Sequence, residues 1–299
     1  MFEDYEYLEN LSEGSVFVNQ HTGEVIPPTL VPSGSIVYTP EDQQRYQKQK
    51  NAEAKKKLHR RENGELGHFY FAHEDCTQGI KPQTLARIMF LATYIGYGNN
   101  ILYLTQQRLL RKSDLPELMG LKSKTFYSFW AEVTGVYILE QPDGSLKMPS
   151  LFRRGALKKS KKDAESLRYQ KIYIETMRQL YKQTPAAKHC HLGYVFQMLP
   201  FLNWEYNVMC WNPYETELEK IQPMSLNELC SAIKYNTSQR ARLLEALKKL
   251  VYQDGDRTRH LFSFVTGGGC NLGDAKMFVN PRVIYRGNNW HRVEILGSF

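Results

Sequence analysis

The sequence predicts a mainly α fold with small β-hairpins, an α+β class arranged as two winged helix-turn-helix domains in tandem. Three observations predict it. A short capped helix, a turn, a second amphipathic helix and a Gly-bearing hairpin follow one another twice, once from Ser113 and again from Met224. Both copies carry Glu-Leu in the first helix, Lys-Met in a late strand and a terminal Arg-Gly, at Arg154-Gly155 and Arg286-Gly287. The chain has 299 residues, enough for two domains of roughly 150 residues each.

Residues 1–40 read as a β-rich arm. Ser15-Val16-Phe17-Val18 and Glu24-Val25-Ile26 flank a Gly23 hairpin signal, and Pro27-Pro28 closes it. Residues 41–66 are Gln- and Lys-rich with little apolar content, so they form a basic polar linker or an exposed helix, helical in part. The first winged-helix domain spans 67–157. Its leading helix starts at Thr84 and fades at Gly96-Tyr97-Gly98-Asn99-Asn100. Ser113, Asp114, Pro116 and the stop at Gly120 then set a short scaffold helix. Phe126, Phe129, Trp130 and Val133 follow at the spacing of one buried helical face, which turns Lys124, Thr125, Tyr127 and Ser128 outward. Asp143-Gly144 supplies the positive φ of a tight turn between Tyr137-Ile138-Leu139 and Leu146-Lys147-Met148, the first wing.

A basic linker at 158–170 leads into the second winged-helix domain, 171–299. Arg168–Tyr181 and Gly193–Leu199 are expected helices that open it. Ser225 with Glu228 forms a capping-box pattern on the scaffold helix. Asn236-Thr237-Ser238 can cap the next helix, where Ala241, Leu244 and Leu247 share a face beside Leu243 and Leu250. Val251-Tyr252, a polar turn over Asp254–Arg259, and His260–Val265 read as a longer second wing.

Charge supports a nucleic-acid partner through its distribution. The formal net charge is +8, with one cationic cluster between Arg45 and Arg61 and another between Arg153 and Lys162, on either side of the first copy. The expected DNA contacts are Lys122, Lys124, Thr125, Tyr127 and Ser128 on the first recognition helix, with Lys147, Arg153 and Arg154 on its wing and exit strand. In the second copy they are Asn236, Thr237, Ser238, Gln239, Arg240 and Arg242, with Arg257 and Arg259 on the wing and Arg286 beyond it. The five cysteines are scattered and odd in number, which fits reduced thiols better than a disulfide framework. The acidic Met1-Phe2-Glu3-Asp4 start and the absence of a long apolar run point to a cytoplasmic protein with no membrane partner.

The residues Thr22-Gly23-Glu24-Val25-Ile26, the helix-turn-helix with wing, Met277-Phe278-Val279-Asn280-Pro281 and Tyr285-Arg286-Gly287-Asn288 resemble winged-helix replication initiator proteins of Gram-positive plasmids and phages. Two units on one chain depart from the single-unit layout and are closer to tandem plasmid initiators. The resemblance implies binding to repeated sites in origin double-stranded DNA and recruitment of replication proteins, or repression of a promoter through the same contacts. A second copy of the chain is a further expected partner.

The motifs that suggest catalysis are weaker than those that suggest binding. His189-Cys190-His191 has the His-x-His form of rolling-circle nucleases, but its neighbours read as a turn into a helix rather than a strand. His68, His73 and Cys76 lack a second ligand pair at finger-like spacing. The Gly267–Gly273 loop lacks the Gly-Lys-Ser/Thr and following helix of a phosphate loop, and reads as a wing tip. No cofactor, metal or catalytic group is expected. A transcriptional regulator, a metal-dependent rolling-circle nuclease and a winged-helix protein-protein scaffold stand as alternatives to the initiator.

Overall fold

The computed structural model describes residues 5–10, 14–19, 25–26, 44–51, 53, 64, 66–73, 79–155, 169–265, 275–287 and 289–298. Met1–Glu62 and Asn63–Phe299 are two separate units. In the first, β1 (Tyr5–Asn10), β2 (Gly14–Asn19) and β3 (Val25–Ile26) form an antiparallel meander with Tyr7 opposite Phe17 and Val18 opposite Val25. The β2–β3 pairing matches the expected hairpin, and β1 extends it. Residues 44–51 and 53 are helical and exposed, while the cationic positions 55–57 and 60–61 lie outside the described residues.

The second unit is organised around β4 (His68–Ala72). Its alternating Phe69 and Phe71 enter the core, a period-2 pattern suited to a half-buried strand. On one side β4 pairs with β7 (Phe152–Arg153) and on the other with β8 (Tyr169–Tyr173), both antiparallel. The helix expected over Arg168–Tyr181 therefore begins as a strand, because Tyr169, Lys171 and Tyr173 find ladder partners across β4. Only Ile174–Gln183 is helical.

Helix α1 (Pro82–Ala92) starts with proline in its first turn and is buried from Thr84 to Ala92, so it is a core helix rather than an amphipathic surface one. It is followed by α2 (Leu115–Leu118) and α3 (Ser123–Val133), then by the hairpin β5 (Leu139–Glu140) and β6 (Leu146–Lys147). The later segment holds α4 (Ile174–Gln183), α5 (His189–Gln197), α6 (Leu226–Ala232) and α7 (Arg240–Lys248). It ends with the hairpin β9 (Val251–Asp254) and β10 (Arg257–His260), then β11 (Phe262–Val265) paired with β12 (Lys276–Val279). The second expected helix is shifted, since α5 starts at His189 and stops at Gln197, followed by a 3-10 turn at Leu199–Phe201. The glycine-rich 267–273 segment lies outside the described residues. The polar turn expected over Asp254–Arg259 is shorter than the sequence implies. Gly255, at φ +61°, closes a two-residue loop, and Arg257 and Arg259 fall on β10.

Residues 67–157 and 171–299, each expected to bury its own core, share one. A continuous apolar cluster runs from Phe69 to Ile284. Helix α5 crosses α1 so closely that a Cβ on Gly193 would lie 1.7 Å from the Pro82 carbonyl oxygen. The Phe90 ring stacks on Tyr181 at 3.9 Å, and Arg178 donates to Thr93 Oγ1 and its carbonyl at 3.0 and 2.9 Å while lying over Tyr94. Residues 158–168, most of the expected linker, lie outside the described residues.

Within this shared core the backbone pattern repeats. Leu102 N–H donates to Leu146 and Met148 N–H to Asn100; in the later segment Met209 N–H donates to Met277 and Val279 N–H to Asn207. Asn100 and Asn207 are both left-handed, at φ 58° and 52°. Ala72 N–H bonds Leu151 in one half and Tyr173 N–H bonds Val283 in the other. Pro149 through Gly155 and Pro281 through Gly287 thus occupy matching places, with Tyr70 opposite Lys171 between them.

Candidate nucleic-acid interface

Two helix pairs carry the expected contact residues, and one turn geometry positions both. After α2, Leu121 N–H reaches Pro116 O at 2.9 Å and Gly120 N–H reaches Glu117 O at 3.1 Å, a Schellman stop with Gly120 at φ +61°. After α6, Tyr235 N–H reaches Cys230 O at 2.8 Å and Lys234 N–H reaches Ser231 O at 3.1 Å. Lys234 adopts φ 57°, doing with a side chain what Gly120 does without one. The capping box on α6 is formed: Glu228 N–H donates to Ser225 Oγ, and Ser225 N–H donates to the Glu228 carboxylate at 2.8 Å. The Ser225 N–H and, at 2.7 Å, the Ser225 hydroxyl both donate to the Glu228 carboxylate and hold it below the usual carboxylate range.

Helix α3 buries Phe126, Phe129, Trp130 and Val133, as the periodicity requires. Lys112 lies over the Trp130 ring at 4.8 Å and ties the preceding turn to this face. The opposite face exposes Lys122, Lys124, Thr125, Tyr127 and Ser128, with Tyr127 65% exposed. Neither lysine forms an ion pair among the described residues. Glu132, the acid on this helix, instead pairs with Lys81 and accepts from Thr84 Oγ1 at 2.6 Å, which lowers its pKa and leaves the exposed face cationic.

Helix α7 buries Leu243, Leu244, Ala246 and Leu247, but Ala241 is exposed. The two adjacent leucines set the rotation of the helix, and Ala241 has too little apolar surface to change it. Asn236 accepts from Ser238 N–H at 3.0 Å and caps the 3-10 turn Thr237–Gln239 that leads into α7, and its side chain is engaged in that turn. Helix α7 itself has Gln239 at its N-cap and no side-chain cap. Thr237, Ser238, Gln239, Arg240 and Arg242 are exposed on this turn.

The wing and strand residues divide into two groups. Lys147, Arg153 and Arg154 line one 850 Å³ cleft at the base of the first hairpin, together with Tyr97, Asn99 and Asn100. No described lining residue is acidic. Arg154 donates to Ile95 O at 3.0 Å and lies 4.4 Å from the Tyr97 ring, which is 70% exposed. Tyr97 and the asparagines read in sequence only as a helix stop; the left-handed Asn100 within Gly-Tyr-Gly-Asn-Asn was their local signal.

In the second copy the geometry is different. Arg257 is exposed, whereas Arg259 Nε lies 3.3 Å from Asp254 Oδ2 and is engaged in holding the hairpin. Arg282 donates to both Asp254 oxygens at 2.9 Å. Arg286 is half-buried beside Tyr70 and Tyr214, and burial lowers its pKa. Arg259 and Arg286 are packed into the fold rather than presented on the surface with Arg257.

His189 and His191 occupy the first turn of α5, where residues two apart point about 200° from each other. His189 is buried against Tyr181 with Nε2 3.1 Å from Thr184 O, and burial holds its pKa down to about 4. The pair is therefore not placed to share a ligand. His68 sits on β4 and is depressed to about 4 by burial and by Lys171 and Arg154, while Cys76 lies outside the described residues. Among the described residues no three His, Cys, Asp or Glu side chains are grouped to hold a metal. Cys190, Cys210 and Cys230 are free thiols, and burial raises Cys210 to about 11. No described helix is long and apolar enough to cross a membrane. Comparison with family models, curated proteins and solved structures gives no match.

Proposed function

We propose that this chain binds double-stranded DNA sequence-specifically through two winged helices, α2–α3 with the β5–β6 hairpin and α6–α7 with the β9–β10 hairpin. The observation that carries this reading is the repeated unit: the same Schellman turn presents, in each copy, a second helix with a buried apolar face and an exposed cationic or polar N-terminal half. A helix of this kind fits the major groove with its first turns toward base edges. The basic cleft around Lys147, Arg153 and Arg154, with no carboxylate among its described lining residues, supplies phosphate contacts beside the first helix's hairpin.

The resemblance to plasmid and phage initiators assigns the duplex an origin of replication, with replication proteins recruited to it. Promoter repression uses the same surface. Two readers on one chain favour a repeated target, because tethering raises the effective concentration of the second contact. Selection of bound fragments from random and genomic DNA, with footprinting and a salt titration, tests the proposal. A discrete repeated motif that maps to an origin supports initiation, and one confined to a promoter supports repression. Weak binding with no sequence preference contradicts both.

A further inference from the structure

The cationic surface has a second concavity. A 360 Å³ cleft lies between α5, α7 and the α4–α5 connection, with Pro185, Ala246, Leu250 and Val251 among its apolar walls. Four basic side chains from three elements converge there: Lys188 from the connection, His191 from α5, and Arg242 and Lys249 from α7 and its C-terminal end. Lys188, Arg242 and Lys249 are exposed and form no ion pair among the described residues. Glu245, the single carboxylate among the described lining residues, is bound to Lys248 at 3.0 Å.

We propose that this cleft is a phosphate-binding site for which Lys188, His191, Arg242 and Lys249 are the ligands. Like charges converging on a concave, partly apolar wall concentrate positive potential, and a compact dianion with several acceptor oxygens relieves it. His191 lies among these cations on the cleft wall and reports their combined field. Burial and the fields of Lys188, Arg242 and Lys249 all lower its pKa, so the three cations act at one point. An anion seated at that point reverses their effect and raises the pKa, adding a fourth charge to the site. The phosphate chemistry has two sources, the DNA backbone and a free phosphorylated compound. Arg242 is shared with the face proposed to read the duplex, so the inference rests in part on that reading, and a phosphate titrated with no DNA present tests the site separately.

The test uses the full chain and two probes. Sulfate, whose charge is constant from pH 5 to 8, and inorganic pyrophosphate are titrated at fixed ionic strength while the His191 ring resonances are followed by NMR. Saturable binding that raises the His191 pKa is expected, weakened at least ~10-fold by Lys188→Ala/Lys249→Ala, with the pH dependence lost in His191→Gln. Both lysines are exposed, and circular dichroism of the double variant confirms its fold. In a second arm the double variant is titrated with the selected DNA across salt. A salt slope reduced by about two assigns the site to backbone phosphate, since each released counterion contributes about 0.9. An unchanged slope with intact pyrophosphate binding in the wild type assigns it to a free ligand. An unmoved His191 resonance together with an unchanged DNA salt slope overturns the proposal.

Discussion

The two helix pairs share a backbone plan and differ in what they place on it. Helix α3 packs three aromatic rings and a valine inward, whereas α7 packs leucines and an alanine. The first hairpin has two-residue strands, with Arg111 donating to the Asp143 carbonyl at its tip. The second has four-residue strands braced by Asp254 with Arg259 and Arg282. The exposed faces diverge as well: lysine, threonine, tyrosine and serine on α3, glutamine and two arginines on α7. The Schellman turn and the inward stripe therefore fix the unit, while the outward face is free to differ between the copies. If both units hold DNA, α3 with its cleft supplies more of the phosphate contact and α7 more of the base readout.

The crossing on which both halves depend is where a single substitution does most damage. Gly193→Ala puts a methyl group into the Pro82 carbonyl, so a loss of about 3 kcal/mol is expected in urea unfolding, with both copies lost in one transition. Two separate transitions would show that the halves do not share a core.

Next come the outward faces. Arg240→Ala and Arg242→Ala should each cost ~1–3 kcal/mol on the best DNA site and relax one base position if the guanidinium is bidentate to guanine. Lys122→Ala and Lys124→Ala should instead weaken all sequences alike, as measured by parallel titration of matched and scrambled sites. Equal loss of specificity in both sets would erase the division of labour.

The turn itself separates the two copies at lower cost. Gly120→Ala forces a Cβ into a left-handed position and should destabilise by ~1–2 kcal/mol. Lys234→Gly relieves the same strain and should stabilise by about 0.5–1 kcal/mol after the entropy of glycine is counted. Thermal melts of the two variants should move in opposite directions.

The gentlest effect is on pH. His68 in one half and His189 in the other titrate near 4 when folded against about 6.5 unfolded. The unfolded chain therefore binds more protons between those values, so stability is complete above pH 6.5 and falls as pH drops toward 4. Unfolding midpoints at pH 7, 5.5 and 4.5 should decrease in that order. His68→Gln should flatten part of the decline, and His189→Gln another part.

What could be read from the sequence was local. The 3.6-residue stripe of Phe126, Phe129, Trp130 and Val133, the Ser225–Glu228 box and the glycines at 120 and 144 each act within a few residues, and each appears where expected. The strands β4 and β8 were not legible in this way. Their pairing joins residues about a hundred positions apart, and Tyr169–Tyr173 runs straight into α4 with no intervening breaker. The same non-locality hid the engagement of Arg259: it shares Asp254 with Arg282, and only the folded chain brings the three together. The basic cleft of the first hairpin was half visible. Its cations could be named, but Tyr97 and Asn100 join it only because Met148 returns to pair with Asn100.

Whether the two units read DNA is decided by the affinity of the full chain for its selected duplex, measured across salt for the wild type, for Lys122→Ala/Lys124→Ala and for Arg240→Ala/Arg242→Ala. Tight, salt-dependent binding to a repeated site is expected of the wild type, with a shallower salt slope in the lysine variant and a collapsed ratio of specific to scrambled affinity in the arginine variant. Binding that is indifferent to sequence in the wild type, and unchanged in both variants, would contradict tandem recognition.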